Sequence, residues 1–180
     1  MNDNGNILQR PGMKVGDVEH RVQGPMLEVD SAAPDFELIA PDRSTRTLAN
    51  YAGKVKIISC VPSVDTRVCS AQTRRFNEEA SKLSDDIVIL TVSADTPFAL
   101  KRYCANEGIE KTETLSDYMS MKFSDDYGVH DIDWRVSQRA VFVVDQQNIV
   151  RHVEYVPVIG QEVDFDAALE VARGLLGATD

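Results

Sequence analysis

Two β-branched apolar runs organise the middle of the chain. Val55 to Val61 (VKIISCV) lies between Gly53-Lys54 and Pro62, and Ile87 to Ser93 (IVILTVS) follows downstream. Short apolar runs bounded by turn residues predict strands buried on both faces. Between them, Ser70 to Leu83 holds neither glycine nor proline and predicts a helix. Strand, helix and strand at this spacing want a parallel, right-handed crossover. Thr96-Pro97 opens a second helix, with threonine as N-cap and proline at the first helical position, running to Asn106-Glu107-Gly108. Ala140 to Val144 and Ile149 to Val156 are apolar runs joined by Asp145-Gln146-Gln147-Asn148, a hairpin. Asp164 caps a last helix whose Phe165, Leu169, Ala172 and Leu176 recur at helical spacing.

Toward the N-terminus the pattern is weaker. Val15 to Val29 alternates, punctuated by Gly16 and Gly24-Pro25, and predicts a short hairpin. Asp35 to Ile39 alternates up to Pro41-Asp42. Residues 1–13, with Asn2, Asn4, Gly5, Asn6, Pro11 and Gly12, predict a flexible lead-in, and residues 14–180 a single domain. The expected class is α/β, a thioredoxin-like fold with an N-terminal β-hairpin extension. Element order alone leaves other α/β folds open.

Composition narrows the function. A chain of 180 residues can bury a core without disulfides or a structural metal. Its 29 acidic against 19 basic residues give a formal charge of −10, which repels phosphate backbones and argues against nucleic-acid binding. No run approaches the ~20 apolar residues that cross a bilayer, so no membrane partner is expected. The first residues lack a basic stretch leading into an apolar one, and the expectation is a cytoplasmic protein with reduced thiols. Three widely spaced cysteines do not make a secreted disulfide framework, so any disulfide should be transient and chemical.

The chemistry concentrates where the first core strand meets its helix, in Pro62-Ser63-Val64-Asp65-Thr66-Arg67-Val68-Cys69. Cys69 falls in the first helical turn, where unpaired N–H groups and the helix dipole favour an anion. Thr66, three residues earlier, is placed to aim a hydroxyl at the same sulfur or at whatever it attacks. Phe76, Ala80 and Leu83 lie within ~40° of Cys69 at ~100° per residue, which puts the thiol in a pocket on the core-facing stripe. By position alone, a reactive thiol and a packed small hydrophobe fit about equally well.

Longer motifs separate the two. PSVDTRVC followed by TRRFNEEA resembles the peroxidatic-cysteine segment of the peroxiredoxins, Pro-x-x-x-Thr-x-x-Cys. SADTPFALKRYC resembles the second-cysteine helix of the thiol peroxidase branch, the atypical two-cysteine peroxiredoxins. Arg139 in SQRAVFVVD matches the family's active-site arginine, and YVPVIGQEVDFDAALE resembles its C-terminal hairpin-to-helix segment. The similarity runs in order from about Lys14 to Leu176.

The resemblance implies a thiol-dependent peroxidase acting on hydrogen peroxide and organic hydroperoxides. Cys69 would attack one peroxide oxygen and become a sulfenic acid. Arg139 would stabilise the thiolate and the charge developing on the oxygens. Thr66 would orient thiolate and peroxide, and Pro62 would shield the pocket. Cys104 would be the resolving cysteine, closing an intramolecular disulfide that a thioredoxin-like partner reduces. Such chemistry needs no metal or organic cofactor, and the family is typically a homodimer. A disulfide needs Cα atoms within ~7 Å, so the first turn around Cys69 and part of the Cys104 helix are expected to unwind during turnover.

Other readings carry less. Cys60, at the end of an apolar strand, reads as a packed, silent thiol. His20, His130 and His152 are scattered, with no i, i+4 pair to suggest zinc. Cys69-x5-Arg75 matches the bare cysteine-phosphatase pattern. Ser70 to Arg74 has no glycine for a phosphate nest, however, and a helix would turn Arg74 and Arg75 toward solvent. The alternative from another class is a thioredoxin-fold binding or scaffold protein with silent thiols.

Overall fold

The computed structural model describes residues 8–177. The chain opens with β1 (Gln9–Val15) and β2 (Val18–Gln23), then two short strands, β3 (Leu38–Ile39) and β4 (Thr45–Arg46). The central unit is β5 (Val55–Cys60), α1 (Arg67–Ala80), β6 (Ile87–Ser93), α2 (Pro97–Glu107) and β7 (Glu113–Ser116). There follow α3 (Lys122–Asp126), β8 (His130–Asp131), β9 (Val136–Ser137), β10 (Ala140–Val144), β11 (Val150–Tyr155) and α4 (Phe165–Gly177). Among the described residues no helix is long and apolar enough to cross a membrane.

The larger sheet has the order β11-β10-β5-β6-β7-β3-β4. β5 and β6 pair in parallel from Val55↔Ile87 to Cys60↔Val92, and β6 pairs in parallel with β7. β10 lies antiparallel on the other side of β5 and forms a hairpin with β11. This is the expected α/β, thioredoxin-like layout, a parallel βαβ half joined to an antiparallel half.

Strand alternation divides the core into two layers. Val55 and Ile57 of β5, with Ile87 and Ile89 of β6, pack against Phe76 of α1 and Phe165 and Leu169 of α4. Ile58 and Cys60, with Leu90 and Val92, pack on the other face with Phe36, Tyr51, Phe123 and Tyr127. A third cluster, Val61, Val64, Cys69, Leu100, Tyr103 and Ile109, joins α1 to α2 beyond the end of β5.

The helix punctuation follows the side chains that the sequence offers. Thr96 Oγ1 accepts the Ala99 N–H at 3.3 Å, Pro97 sits in the first turn, and Gly108 ends α2 in the left-handed region at φ 65°. Asp164 Oδ1 accepts the Ala167 N–H at 3.0 Å at the start of α4.

The N-terminal boundary needs correcting. The hairpin spans Gln9 to Gln23 and turns at Gly16-Asp17, so Gln9 to Met13 form a strand and not part of a lead-in; residues 1–7 lie outside the described residues. Pairing holds this segment: Met13 and Val22 are fully buried, and Arg10 Nη2 donates to the Gly128 carbonyl at 2.8 Å. β2 continues into β8 and β9 to make a second, four-stranded sheet. Gly12, which in the sequence suggests looseness, is there because of close approach. A Cβ on it would stand 1.9 Å from a Val22 methyl. Gly12→Ala is therefore expected to cost about 1–3 kcal/mol, the usual penalty of overpacking, as measured by urea denaturation. A change below about 0.5 kcal/mol, the scale of an ordinary surface substitution, would mean that Val22 turns aside freely.

Candidate active site

Pro62 ends β5, and Ser63 to Thr66 make a tight turn closed by the Thr66 N–H and the Ser63 carbonyl at 3.2 Å. Thr66 is the N-cap residue of α1, which makes Cys69 its third residue. The N–H groups of Arg67, Val68 and Cys69 thus belong to the first turn, ahead of the bond from Ser70 N–H to the Thr66 carbonyl at 2.9 Å. Burial along α1 follows Cys69, Gln72, Thr73 and Phe76, the i, i+3, i+4, i+7 stripe of a helix lying on a sheet.

Cys69 is fully buried, and the side chain facing its sulfur is Arg139. Arg139 sits immediately before β10, whose antiparallel register places Ala140 beside Cys60 at the end of β5. Its Nη2 donates to Cys69 Sγ at 3.3 Å and to the Ile159 carbonyl at 3.1 Å, and Nη1 donates to Gln72 Oε1 at 2.6 Å. The residue is 1% exposed. Among the described residues no carboxylate pairs with it, and its buried Nε–H has no partner. A buried cation held only by neutral acceptors calls for an anion. The sulfur at 3.3 Å is the group able to supply one.

Gln72 escaped the sequence reading. Its Oε1 holds Arg139, while its Nε2 donates to Ser59 Oγ of β5 at 2.7 Å, so the amide fixes the guanidinium's direction. The available signal was a polar residue on the stripe that carries Cys69 and Phe76.

Pro62 is buried at the mouth of the turn. Thr66 is exposed, and its hydroxyl donates to the Ser63 carbonyl at 3.2 Å instead of reaching the Cys69 sulfur, because the turn that it closes draws it back. Cys104 is half-buried on α2 and packs against the cluster that encloses Cys69. Its sulfur lies 3.2 Å from Thr114 Oγ1, and burial pushes its thiol pKa up. All three cysteines are unbridged. Cys60 points into the core layer on the opposite face, where complete burial raises its pKa strongly. Arg74 pairs with Glu107 at 2.7 Å, and Arg75 lies over the Phe165 ring, 4.0 Å from its centroid. Both stand on the outer side of a regular helix, so no phosphate loop surrounds Cys69.

The fold also gathers His20, Asp131 and Asp133, whose donor atoms lie within 4.8 Å of one another. Each already has a partner within the protein. His20 Nδ1 meets Asp131 Oδ2 at 2.7 Å, Asp131 Oδ1 accepts the N–H groups of Asp133 and Trp134, and Asp133 binds Arg21. The group works as a clasp between β2 and β8.

Known proteins resemble this chain in sequence and in fold. A family model described as "AhpC/TSA family" matches residues 29–153. The thiol peroxidase of Streptococcus sanguinis is 49% identical over 152 residues, which cover 84% of this chain and 93% of that one. Among solved structures, a peroxiredoxin-like protein from Aquifex aeolicus superposes with a TM-score of 0.84 at 29% identity, over 95% of this chain and 99% of its own. The thiol peroxidase from Chromobacterium violaceum gives 0.82 at 20% identity, over 93% and 98%, a likeness of fold.

Proposed function

The chain belongs to the AhpC/TSA family, in its thiol peroxidase branch, and from that premise we propose that Cys69 is the peroxidatic nucleophile. Its activity is that of a thiol-dependent peroxidase, with peroxide as the substrate class. The observation that carries the residue assignment is the buried Arg139, which meets no carboxylate among the described residues and points Nη2 at Cys69 Sγ from 3.3 Å.

The chemistry follows from that pair. The Cys69 thiolate attacks one peroxide oxygen, the O–O bond breaks, and water or an alcohol leaves once the departing oxygen is protonated. The sulfur becomes a sulfenic acid. Arg139 supplies a permanent cation beside the thiolate, and its unpartnered Nε–H is a donor for a substrate oxygen. Pro62 walls the pocket, and the Thr66 hydroxyl turns from the Ser63 carbonyl to the incoming peroxide. Cys104 then attacks the sulfenic sulfur. An S–S bond forms, the S–O bond breaks, and the leaving oxygen departs as water with the Cys104 proton.

Cys69 lies in one helix and Cys104 in the next, and in this reading both unwind locally to meet. A thioredoxin-like protein in the cytoplasm reduces the resulting exposed disulfide. The chain works as a homodimer in this reading, covering apolar side chains such as Phe98 and Met119, both 69% exposed. Sedimentation as a monomer at micromolar concentration would remove that last element.

Thiol counting tests the core of the proposal. Reduced protein freed of reductant is given one equivalent of hydrogen peroxide. Its free thiols are expected to fall from three to one, with Cys69 and Cys104 linked in the peptide map. Cys104→Ser should stop with one oxidised sulfur, at Cys69. Three thiols surviving prolonged exposure would sink the assignment and favour a thioredoxin-fold scaffold with silent thiols.

A further inference from the structure

One carboxylate joins the turn that leads into the Cys69 helix to the root of the helix that carries Cys104. Asp95 lies half-buried between β6 and α2. Its Oδ1 accepts from Ser63 Oγ at 2.8 Å, and its Oδ2 accepts from the Val64 N–H and from Ser93 Oγ, each at 2.8 Å. Ser116 Oγ, at the end of β7, donates to the Asp95 carbonyl. The exits of β5, β6 and β7 therefore converge on this residue. Thr96, its neighbour in the chain, is the N-cap of α2.

Few other polar contacts hold the turn in place. The bonds inside it are longer, 3.2 Å from Thr66 to the Ser63 carbonyl and 3.3 Å from the Asp65 N–H to Ser63 Oγ, and do not reach beyond it. Arg102 and Asp65 form an outward pair at 3.4 Å, both well exposed, and such pairs contribute little. Bonds to an ionised acceptor are the stronger kind. The turn is also coupled to both cysteine segments through packing, because Val64, Cys69, Leu100 and Tyr103 share one cluster against which Cys104 rests. The first turn of α1 cannot leave that cluster without disturbing the residue whose N–H Asp95 holds.

We propose that Asp95 is a positioning residue that sets the balance between two arrangements of the peroxidase. In the folded one, Cys69 faces Arg139; in the unwound one, the Cys69 sulfenic acid meets Cys104. The inference rests on the peroxidase reading above. Asp95 hydrogen-bonds to neither cysteine, and it acts by stabilising the folded arrangement alone. Removing it should leave the folded form dominant and enlarge the minor, unwound population. The peroxide step, which uses the major form, is expected to change by less than about twofold. The disulfide step, which draws on the minor form, should quicken on the order of tenfold, the effect of losing a hydrogen bond to a charged group. The sulfenic acid also partitions between Cys104 and a second peroxide, which makes sulfinic acid. At a given excess of peroxide, the overoxidised fraction should fall by a similar factor.

The test is rapid quench of the reduced full-length protein with hydrogen peroxide, compared with Ser63→Ala, Asp95→Asn and Asp95→Ala. Alkylation and intact mass separate the peroxide-dependent loss of the Cys69 thiol from the peroxide-independent closure of the disulfide. The expected acceleration of closure is smallest for Ser63→Ala, which keeps the Val64 bond, and largest for Asp95→Ala. Should Asp95→Ala fail to fold, the other two variants decide the order. Closure unchanged across the series, or both steps slowed by one factor, would overturn the proposal while leaving the peroxidase intact. A wild-type protein that forms no Cys69–Cys104 disulfide would instead remove the reading on which the proposal stands.

Discussion

Cys69→Ser is expected to abolish peroxide turnover while leaving the fold almost unchanged. The serine oxygen occupies nearly the same volume in the cluster of Val61, Val64, Leu100 and Tyr103 and still accepts from Arg139 Nη2. A hydroxyl is neither ionised near neutral pH nor oxidised by peroxide, so no sulfenic acid forms. The remaining thiols cannot take over. Burial raises the pKa of both Cys60 and Cys104, which keeps them protonated, and Cys60 faces the other core layer. Peroxide consumption with excess dithiol should fall to that of the dithiol alone. Burying one hydroxyl with a partner in place of a thiol should move stability by no more than about 1–3 kcal/mol. Peroxidase activity surviving in this variant would assign the nucleophile elsewhere.

Arg139→Met is expected to slow the peroxide step by about 10²–10³, the loss seen when a preorganised donor to developing charge is removed. The guanidinium makes its contribution at no cost in reorganisation, because Gln72 and the Ile159 carbonyl already fix its direction. Arg139→Lys should recover only part of the rate. A lysine keeps the charge but lacks the planar fork that serves Gln72, Ile159 and Cys69 together. Stability moves less than the rate. The methionine leaves the buried Gln72 amide oxygen and the half-buried Ile159 carbonyl unpaired but also removes a buried charge, and these effects oppose each other. The second-order rate constant at several peroxide concentrations, read beside a denaturation curve, separates the two. A loss below about tenfold would place the charge stabilisation in the α1 N-terminus instead.

Much of the fold was legible because its signals are local. The run from Val55 and the run from Ile87 are apolar on both faces, and strands of that kind have few other places to go than the middle of a sheet. Thr96-Pro97 and Gly108 mark α2 at both ends through groups within a few residues of the backbone that they satisfy. The N-terminal hairpin was misplaced because Gln9 to Met13 carries little hydrophobic pattern. Its strand exists through pairing with β2, which is paired in turn with β8 over a hundred residues away in the chain.

The site divides in the same way. Pro62, Thr66 and Cys69 lie within eight residues, and Cys69's place in the first turn of a helix follows from the strand–turn–helix pattern alone. Arg139 could be named only through family resemblance. Gln72 and Asp95 could not be named at all, since an amide on a helix stripe and an aspartate before an N-cap are ordinary residues until their partners are seen. The sequence by itself determined the central strands and helices and the place of the nucleophile, because these depend on side-chain period and on groups a few residues apart. Only the tertiary structure decided what faces that nucleophile, namely a cation 70 positions downstream, aimed by Gln72 and carried there by the register of β10 on β5.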